Sequence, residues 1–157
     1  MVAGGEGDIV EMALPPRPEV VSVARLVVGA VAAADGLFDE DRAADVRLAV
    51  SEACTNAIQA QLAERAGSDP EAAIVVRCSA ADGHIELSVT DHGGGFDPSE
   101  VPSHPEVTDP ARLELEGGLG IPLIRILADD VQFHPIPGGT TVVMSFGPRL
   151  PPGRSLF

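Results

Sequence analysis

The stretch of sequence that decides the fold is EACTNA, at residues 52–57. In a helix, Glu52 and Asn56 are four residues apart, so their side chains share one face about one turn apart. A carboxylate can accept a proton from an attacking hydroxyl, and an amide oxygen is a suitable ligand for Mg²⁺. Taken alone, however, the pair is better explained as a solvated helix face, because Glu and Asn are common on surfaces.

Two glycine-rich motifs follow, DHGGG at residues 91–95 and GLG at residues 118–120. Asp91 ends a predicted strand, where its carboxylate can accept a hydrogen bond from an exocyclic amine such as that of adenine. The glycines after it allow positive φ and close approach of the backbone to a ligand. The GLG motif precedes a predicted helix, whose free N–H groups favour phosphate. A Gly-rich turn and a helix cap are the ordinary explanations of the two motifs.

The last motif is GTT at residues 139–141, at the mouth of a predicted hairpin. Thr140 can hydrogen-bond a purine edge, although such a threonine is more often simply a β-forming residue. Each motif is weak alone. Together they supply a carboxylate, a metal-binding amide, a base-reading acid and two glycine turns that can approach phosphates. This combination predicts an ATP site that does not use a P-loop.

Composition narrows the class of protein. The chain has 157 residues, which favours one domain with its own core. All ten basic residues are Arg, which excludes a Walker A lysine and Schiff-base lysine chemistry. The net charge of −14 repels nucleic acid and anionic lipid. It favours a protein partner with exposed basic groups.

The cysteines and histidines form no recognisable metal or redox motif. Cys54 and Cys78 are better explained as small buried residues than as a redox pair, and the histidines lack zinc-ligand spacing. The acidic start does not resemble a signal peptide. The longest apolar run, residues 26–34, is shorter than the about 20 residues that a membrane span needs. We therefore expect a cytoplasmic protein that does not enter a membrane.

Hydrophobic periodicity predicts the element order α-α-β-β-lid-α-β-β, with a possible edge strand before it. The predicted helices are 19–34, 40–66 and a third that has Pro122 in its first turn and runs to about residue 128. The predicted strands are 9–14, 72–80, 84–90, 131–136 and 140–146. The Asp82-Gly83 pair predicts a hairpin turn. Residues 92–120 are predicted to form a lid or binding loop.

The predicted fold is an α/β two-layer sandwich, with helices on one face of a mixed, mostly antiparallel sheet. We expect the domain to span residues 9–147, between flexible tails at 1–8 and 148–157. The residues predicted to line the buried helix faces are Val20, Val23, Val27, Ala30 and Val31 in the first helix, and Ala44, Leu48, Ile58 and Leu62, with Cys54 or Thr55, in the second.

The ordered set of four motifs resembles that of the Bergerat ATPase fold shared by DNA gyrase, heat-shock chaperones and histidine kinases. Within that superfamily, LAVSEACTNA (48–57), GLGIPLI (118–124) and ADDV (128–131) look most like the anti-sigma-factor serine kinases of bacteria. The resemblance covers about residues 10–147.

The resemblance implies a role for each matching residue. Glu52 would be the general base, and Asn56 would hold Mg²⁺ for bound ATP. Asp91 would read adenine, supported by Thr140. The glycine-box residues that would flank the phosphates and anchor a mobile lid are Gly93, Gly95, Gly118, Leu119 and Gly120.

The resemblance also implies partners. The family phosphorylates a Ser or Thr of an anti-sigma-factor antagonist, and it sequesters a sigma factor as a homodimer. Two departures stand out: Glu116-Gly117 where members often carry a basic residue, and Ala60 where many have His. Arg112 or Arg125 is the candidate substitute for the basic residue. These departures keep open a second interpretation, a nucleotide-binding or protein-binding module that transfers nothing. A detached histidine-kinase catalytic domain is a weaker third.

Overall fold

A single five-stranded sheet carries the core of the protein on one of its faces. The computed structural model describes residues 7–63, 67–94 and 120–149. In chain order, the elements are β1 (Asp8–Leu14), α1 (Val20–Ala33), a short 3₁₀ turn (Ala34–Gly36), α2 (Glu40–Leu62), β2 (Ile74–Ala81), β3 (His84–Asp91), α3 (Gly120–Leu127), β4 (Asp130–Ile136) and β5 (Gly139–Phe146). The predicted types and order of these helices and strands are confirmed, and residues 95–119 of the predicted lid lie outside the described residues.

The strands are ordered β1-β2-β3-β5-β4, and every neighbouring pair is antiparallel. The predicted mixed sheet is therefore a purely antiparallel one among the described strands. The β2–β3 hairpin turns at Asp82 and Gly83, with φ of 53° and 76°. Two successive positive φ values match the right-handed twist of the strands, which explains the preference for Asp-Gly.

Alternate residues of the three central strands form the sheet side of the core. The predicted alternation of β3 is confirmed, because Ile85, Leu87 and Val89 are all buried. The strand residues that join them in the same cluster are Ile74, Val76, Cys78, Val142, Met144 and Phe146. Both helices α1 and α2 contact this sheet, and α3 packs on α2. The helices cover one face, as predicted.

The buried face of α1 differs from the predicted stripe. Ala24, Val28 and Ala32 are fully buried, whereas Val23 is 47% exposed and Ala30 is exposed. The prediction was wrong for Val23 and Ala30, whereas Val20 and Val31 are half-buried and pack against the core as expected. The errors arise because α1 is apolar around most of its circumference. Periodicity cannot choose a face in such a helix, and contact with α2 selects the side with small residues.

Helix α2 begins with an Asp39 cap, whose side chain accepts a hydrogen bond from the Arg42 N–H at 2.8 Å. The helix ends at Leu62, and residues 64–66 of its predicted extent lie outside the described residues. Cys54 and Ile58 are buried as predicted, but Ala44, Leu48 and Leu62 are exposed. The broad buried face of α2 instead includes two polar residues, Arg42 and Gln61.

The predicted tails are only partly described. Asp8 already belongs to β1, one residue before the predicted start of the domain. At the other end, Arg149 forms a 2.9 Å ion pair with Asp45 of α2. Residues 1–6 and 150–157 lie outside the described part of the chain.

Within residues 7–63, 67–94 and 120–149, no helix is both long and apolar enough to cross a membrane.

Candidate functional site

Helix α2 presents Glu52 and Asn56 on its partly exposed side. Both side chains are half-buried, while Ala53 and Ala57 on the opposite side are 2% and 4% exposed. The two small alanines let α2 pack closely against its neighbours. As predicted, the carboxylate and the amide lie one turn apart on one face.

The Asn56 side chain lies against the first residue of α3. A Cβ built on Gly120 would lie 2.7 Å from Asn56 Nδ2 and 2.9 Å from Oδ1. Gly120 is buried, so only a glycine lets the start of α3 approach the amide this closely. Gly118 and Leu119, the other residues of this motif, lie outside the described residues.

Asp91 ends β3 and is half-buried. Its Oδ1 accepts a hydrogen bond from the Gly93 N–H at 2.9 Å. Burial raises the pKa of the Asp91 carboxyl above its ordinary value, against the opposing effects of the Gly93 hydrogen bond and the nearby His92. The carboxyl is therefore poorly solvated and gains from a further donor. Gly95 lies outside the described residues.

The β3–β5 register places Asp91 directly opposite Thr140, which is 5% exposed. The neighbouring Gly139 packs so tightly on the Asp91 carbonyl that a Cβ would overlap it. In addition, the Gly94 N–H donates to the Gly138 carbonyl at 3.0 Å. The second and fourth sequence motifs are thus joined by backbone contacts.

Gly93 connects this turn to α2. A Cβ on Gly93 would lie 2.7 Å from both the carbonyl carbon and the carbonyl oxygen of Ala60. Three close approaches, Asn56 to Gly120, Ala60 to Gly93, and Asp91 to Gly139, therefore bring the described parts of all four motifs together. We call this group, with Glu52 and Thr140, the glycine-lined site.

The glycine-lined site combines side-chain hydrogen-bond acceptors, on Glu52, Asn56 and Asp91, with backbone segments that pack closely together at the glycines. Neither the Glu52 carboxylate nor the Asn56 side-chain amide has a hydrogen-bonding or ion-pair partner among the groups that the structure describes. A free amide oxygen one turn from a carboxylate fits Mg²⁺, which keeps several waters and takes few protein ligands. Across the described ranges, no three His, Cys, Asp or Glu side chains cluster closely enough to hold a metal by themselves. A bound ion would complete its coordination with waters and with oxygens from its ligand.

Arg112 and Arg125 were the candidates to replace the basic residue that family members often carry before the second glycine box, and the structure describes only one of them. The Arg125 guanidinium lies 5.4 Å from the centre of the Phe133 ring, so this exposed side chain contacts the edge strand β4. Arg112 lies outside the described residues.

Gln61, near the end of α2 and one turn beyond Ala57, was not among the predicted site residues. Its side chain is 0% exposed. Its Oε1 accepts a hydrogen bond from the His92 N–H at 3.0 Å, and its Nε2 donates to the Ala72 carbonyl. A polar residue among the buried apolar positions of a helix was the available signal.

Comparison with known proteins agrees with this geometry. A family model described as a histidine kinase-like ATPase domain matches residues 14–146. A Bacillus pumilus protein named serine-protein kinase RsbW is 37% identical over 142 residues, which cover 88% of this chain and 86% of the relative. A protein of the same name from Bacillus subtilis is 35% identical over 148 residues, covering 88% and 84%.

A solved structure shows the same fold. It contains the RsbU and RsbW domains of a Mycobacterium tuberculosis protein, with a TM-score of 0.63 and 21% sequence identity. The match covers 89% of this chain but only 32% of that longer one. The family match over most of the chain, the identity to the RsbW proteins and the shared fold lead to one conclusion: this chain belongs to the family of histidine kinase-like ATPase domains.

Proposed function

We propose that the protein is an ATP-dependent serine/threonine kinase that acts as an anti-sigma factor. In this role it phosphorylates a Ser or Thr of an anti-sigma-factor antagonist and sequesters a sigma factor. The convergence of the four motifs at the glycine-lined site is the observation that carries the proposal. The names of the relatives, serine-protein kinases, support the reaction class.

The geometry supports a division of labour among the residues. Asp91, poorly solvated and held opposite Thr140, would accept a hydrogen bond from the adenine amine. Gly93 and Gly120 let the turn after Asp91 and the start of α3 pack closely on α2, which would bring the groups that contact the nucleotide together. The N-terminus of α3 would favour its phosphates. Gly95, Gly118 and Leu119 would complete this binding surface from the glycine boxes.

Asn56 would hold Mg²⁺ through its amide oxygen, and the ion would neutralise charge on the phosphates. Glu52, one turn away and without a protein partner in the described ranges, would take the proton of the attacking hydroxyl. Phosphoryl transfer depends mainly on positioning and charge stabilisation, so this site needs no lysine.

The experiment measures nucleotide binding and phosphate transfer separately. In Glu52→Ala, calorimetry should show Mg-ATP binding close to wild type, while labelled-phosphate transfer to the purified antagonist falls by about 10²–10⁴-fold. Glu40→Ala is the matched control, because Glu40 lies on the same helix and pairs with Arg47 at a largely exposed position. Unchanged transfer in Glu52→Ala would refute the base assignment.

A second candidate is a module that binds nucleotide or a partner and transfers nothing. It is favoured by Glu116 at a place where many family members carry a basic residue. Intact-mass measurement after incubation with Mg-ATP and candidate antagonists separates the two. The gain of one phosphate supports the kinase, and no gain with any candidate supports the module.

The proposed partners follow from charge and family. With a net charge of −14, the protein should bind a sigma factor through exposed charge pairs. Such binding weakens as salt screens the charges. We also propose a homodimer, no direct contact with nucleic acid or membrane, and a cytoplasmic location, where ATP is available. A salt-independent affinity would instead indicate an apolar interface.

A further inference from the structure

We propose that Gln61 is a positioning residue that sets the preference of the site for adenine, acting through the backbone that carries Asp91. The inference rests on the proposed ATP site. It concerns a residue outside the four motifs, buried near the end of α2.

The Gln61 amide can adopt only one orientation in its surroundings. It faces the His92 N–H, which needs an acceptor, and the Ala72 carbonyl, which needs a donor. The side-chain oxygen must therefore meet His92 and the nitrogen must meet Ala72. With 0% exposure, water cannot replace either partner. The Gln61 side chain therefore links α2 to the segment before β2 and to the end of β3.

This link restrains the peptide that follows Asp91. The His92 N–H is held by Gln61, and the His92 carbonyl accepts a hydrogen bond from the Asp69 N–H at 2.8 Å. On the other side, the Asp91 carbonyl packs directly against Gly139, where a Cβ would overlap it. Both sides of the Asp91–His92 peptide are therefore restrained. Of the three contacts named, only the one from Gln61 comes from a side chain.

The position of Asp91 depends on this hold because the turn after it is tight. Gly93 already packs against the Ala60 carbonyl and donates to Asp91 Oδ1 at 2.9 Å. If His92 loses its acceptor, the turn can rotate to find water, and the carboxylate moves with it. A displaced carboxylate would no longer face the adenine amine, whereas the proposed Mg²⁺ ligand Asn56 and the phosphate contacts at the start of α3 would remain in place.

The inference therefore predicts a loss of base preference, not only of affinity. Inosine triphosphate is a suitable probe, because it carries a carbonyl oxygen where ATP carries the amine. In Gln61→Met and Gln61→Asn, ATP affinity should fall about tenfold, the size of one hydrogen bond at a buried site, while inosine triphosphate affinity changes less than about twofold. The ratio of the two dissociation constants, measured by calorimetry, is the readout.

Two controls isolate the effect. Gln59→Met makes the same change at an exposed position of the same helix and should leave the ratio at the wild-type value. In an Asp91→Ala background, adding Gln61→Met should not change the ratio further, because the group on which Gln61 acts is already gone.

The possible results separate this inference from the proposed function. A wild-type protein that does not prefer ATP over inosine triphosphate would refute the adenine role of Asp91. A wild-type preference that survives in both Gln61 variants, or equal weakening of both nucleotides, would overturn the positioning role alone. If circular dichroism shows that both variants unfold, Gln61 is a core folding residue and the inference is also overturned.

Discussion

Two regions of α2 contain buried or half-buried polar side chains, but they use them differently. Near the start of the helix, Arg42 donates to the carbonyls of Leu127 and Gly147, both at 2.8 Å. It also pairs with Asp129 at 2.8 Å and with Asp45 at 3.1 Å. We call this group the arginine clamp. About 21 Å further along the helix, by its rise per residue, Asn56 marks the glycine-lined site.

The difference between the two regions lies in what is left unpaired. The arginine clamp joins α2 to the end of α3 and to the end of β5, and Asp129 also accepts from the Gly147 N–H at 2.6 Å. At the glycine-lined site, the side chains of Glu52 and Asn56 have no partner among the described residues. One region thus uses its polar groups to stabilise the fold, and the other leaves them unpaired, as the proposed ligand site requires.

The largest expected effect is at the arginine clamp. Arg42→Met should lower the free energy of unfolding by about 3 kcal/mol, because two buried carbonyls and a partly buried carboxylate lose their donor. Urea denaturation measures the loss, and ATP affinity of the folded protein should not change. Arg47→Met is the control: its pair with Glu40 is largely exposed, so its cost should stay below about 1 kcal/mol.

A loss of nucleotide binding in Arg42→Met would contradict this distinction between the two regions. If Arg42→Met weakened nucleotide binding as strongly as it weakened folding, the two regions of α2 would be coupled and not separate in role.

The arginine clamp also shows what sequence could not predict. The order of elements and the Asp82-Gly83 hairpin follow from local patterns, and the structure agrees with them. Arg42 resembles a surface residue in sequence, since its acceptors come from Leu127 and Gly147, more than 80 positions away. The role of Gln61 could not be predicted for a similar reason, because its partners are backbone groups outside its own helix.

The candidate site was more accessible to sequence reasoning than the clamp. Its residues stand in short motifs whose order carries the family resemblance, and that resemblance already paired Asp91 with Thr140. The register of β3 and β5 places the two residues opposite each other. The contact between Asn56 and Gly120 could not be read from spacing, because it depends on how α3 packs on α2.

The helix faces were mispredicted for a related reason. Val23 and Leu48 were expected inside and are exposed, at 47% and 41%. Helix α2 contacts α1, α3 and the sheet, so its buried surface is wider than one stripe. Which side becomes the inside depends on neighbours that periodicity along one helix does not reveal.

The next effect in size concerns the approach of α3 to Asn56. In Gly120→Ala the new methyl group would displace the Asn56 amide, which lies 2.7 Å from the Cβ position. We expect ATP affinity to fall about tenfold, or about 1.4 kcal/mol, with little change in unfolding free energy. Calorimetry and urea denaturation give the two numbers.

Gly29→Ala is the matched control for that variant. Its Cβ would lie 2.8 Å from Cδ of Arg47, a flexible side chain that can move away, and α1 gains the better helix propensity of alanine. This variant should bind ATP normally and be as stable as wild type or slightly more so. Equal loss of ATP affinity in both variants would show that the Gly120 effect is not local to the site.

A smaller effect is expected in the pH dependence of binding. Burial raises the pKa of Asp91, so the folded protein holds this proton more tightly than the unfolded chain. In the proposed site, the adenine amine would donate to the ionised carboxylate. ATP affinity should therefore be fully present above the raised pKa and fall as the pH drops through it, with a midpoint above the about 3.9 of an ordinary aspartate.

The phosphates of the nucleotide titrate as well, so Asp91→Asn serves as the reference. The ratio of wild-type to Asp91→Asn affinity, followed from about pH 4 to about pH 7, removes the contribution of the ligand. Parallel profiles for the two proteins would exclude Asp91 as the titrating group.

The smallest expected effect is that of Gly120→Ala on the reactivity of the buried thiols, for which Arg42→Met is the contrasting variant. Burial raises the pKa of Cys54 to about 12 and that of Cys78 to about 11, so neither forms much thiolate near neutral pH. A thiol reagent should react only with molecules that have opened. Arg42→Met should speed labelling of both cysteines through its larger unfolded population, whereas Gly120→Ala should leave both rates unchanged. Faster labelling of Cys54 alone in Gly120→Ala would show that the glycine-lined site also helps to hold α2 in the core.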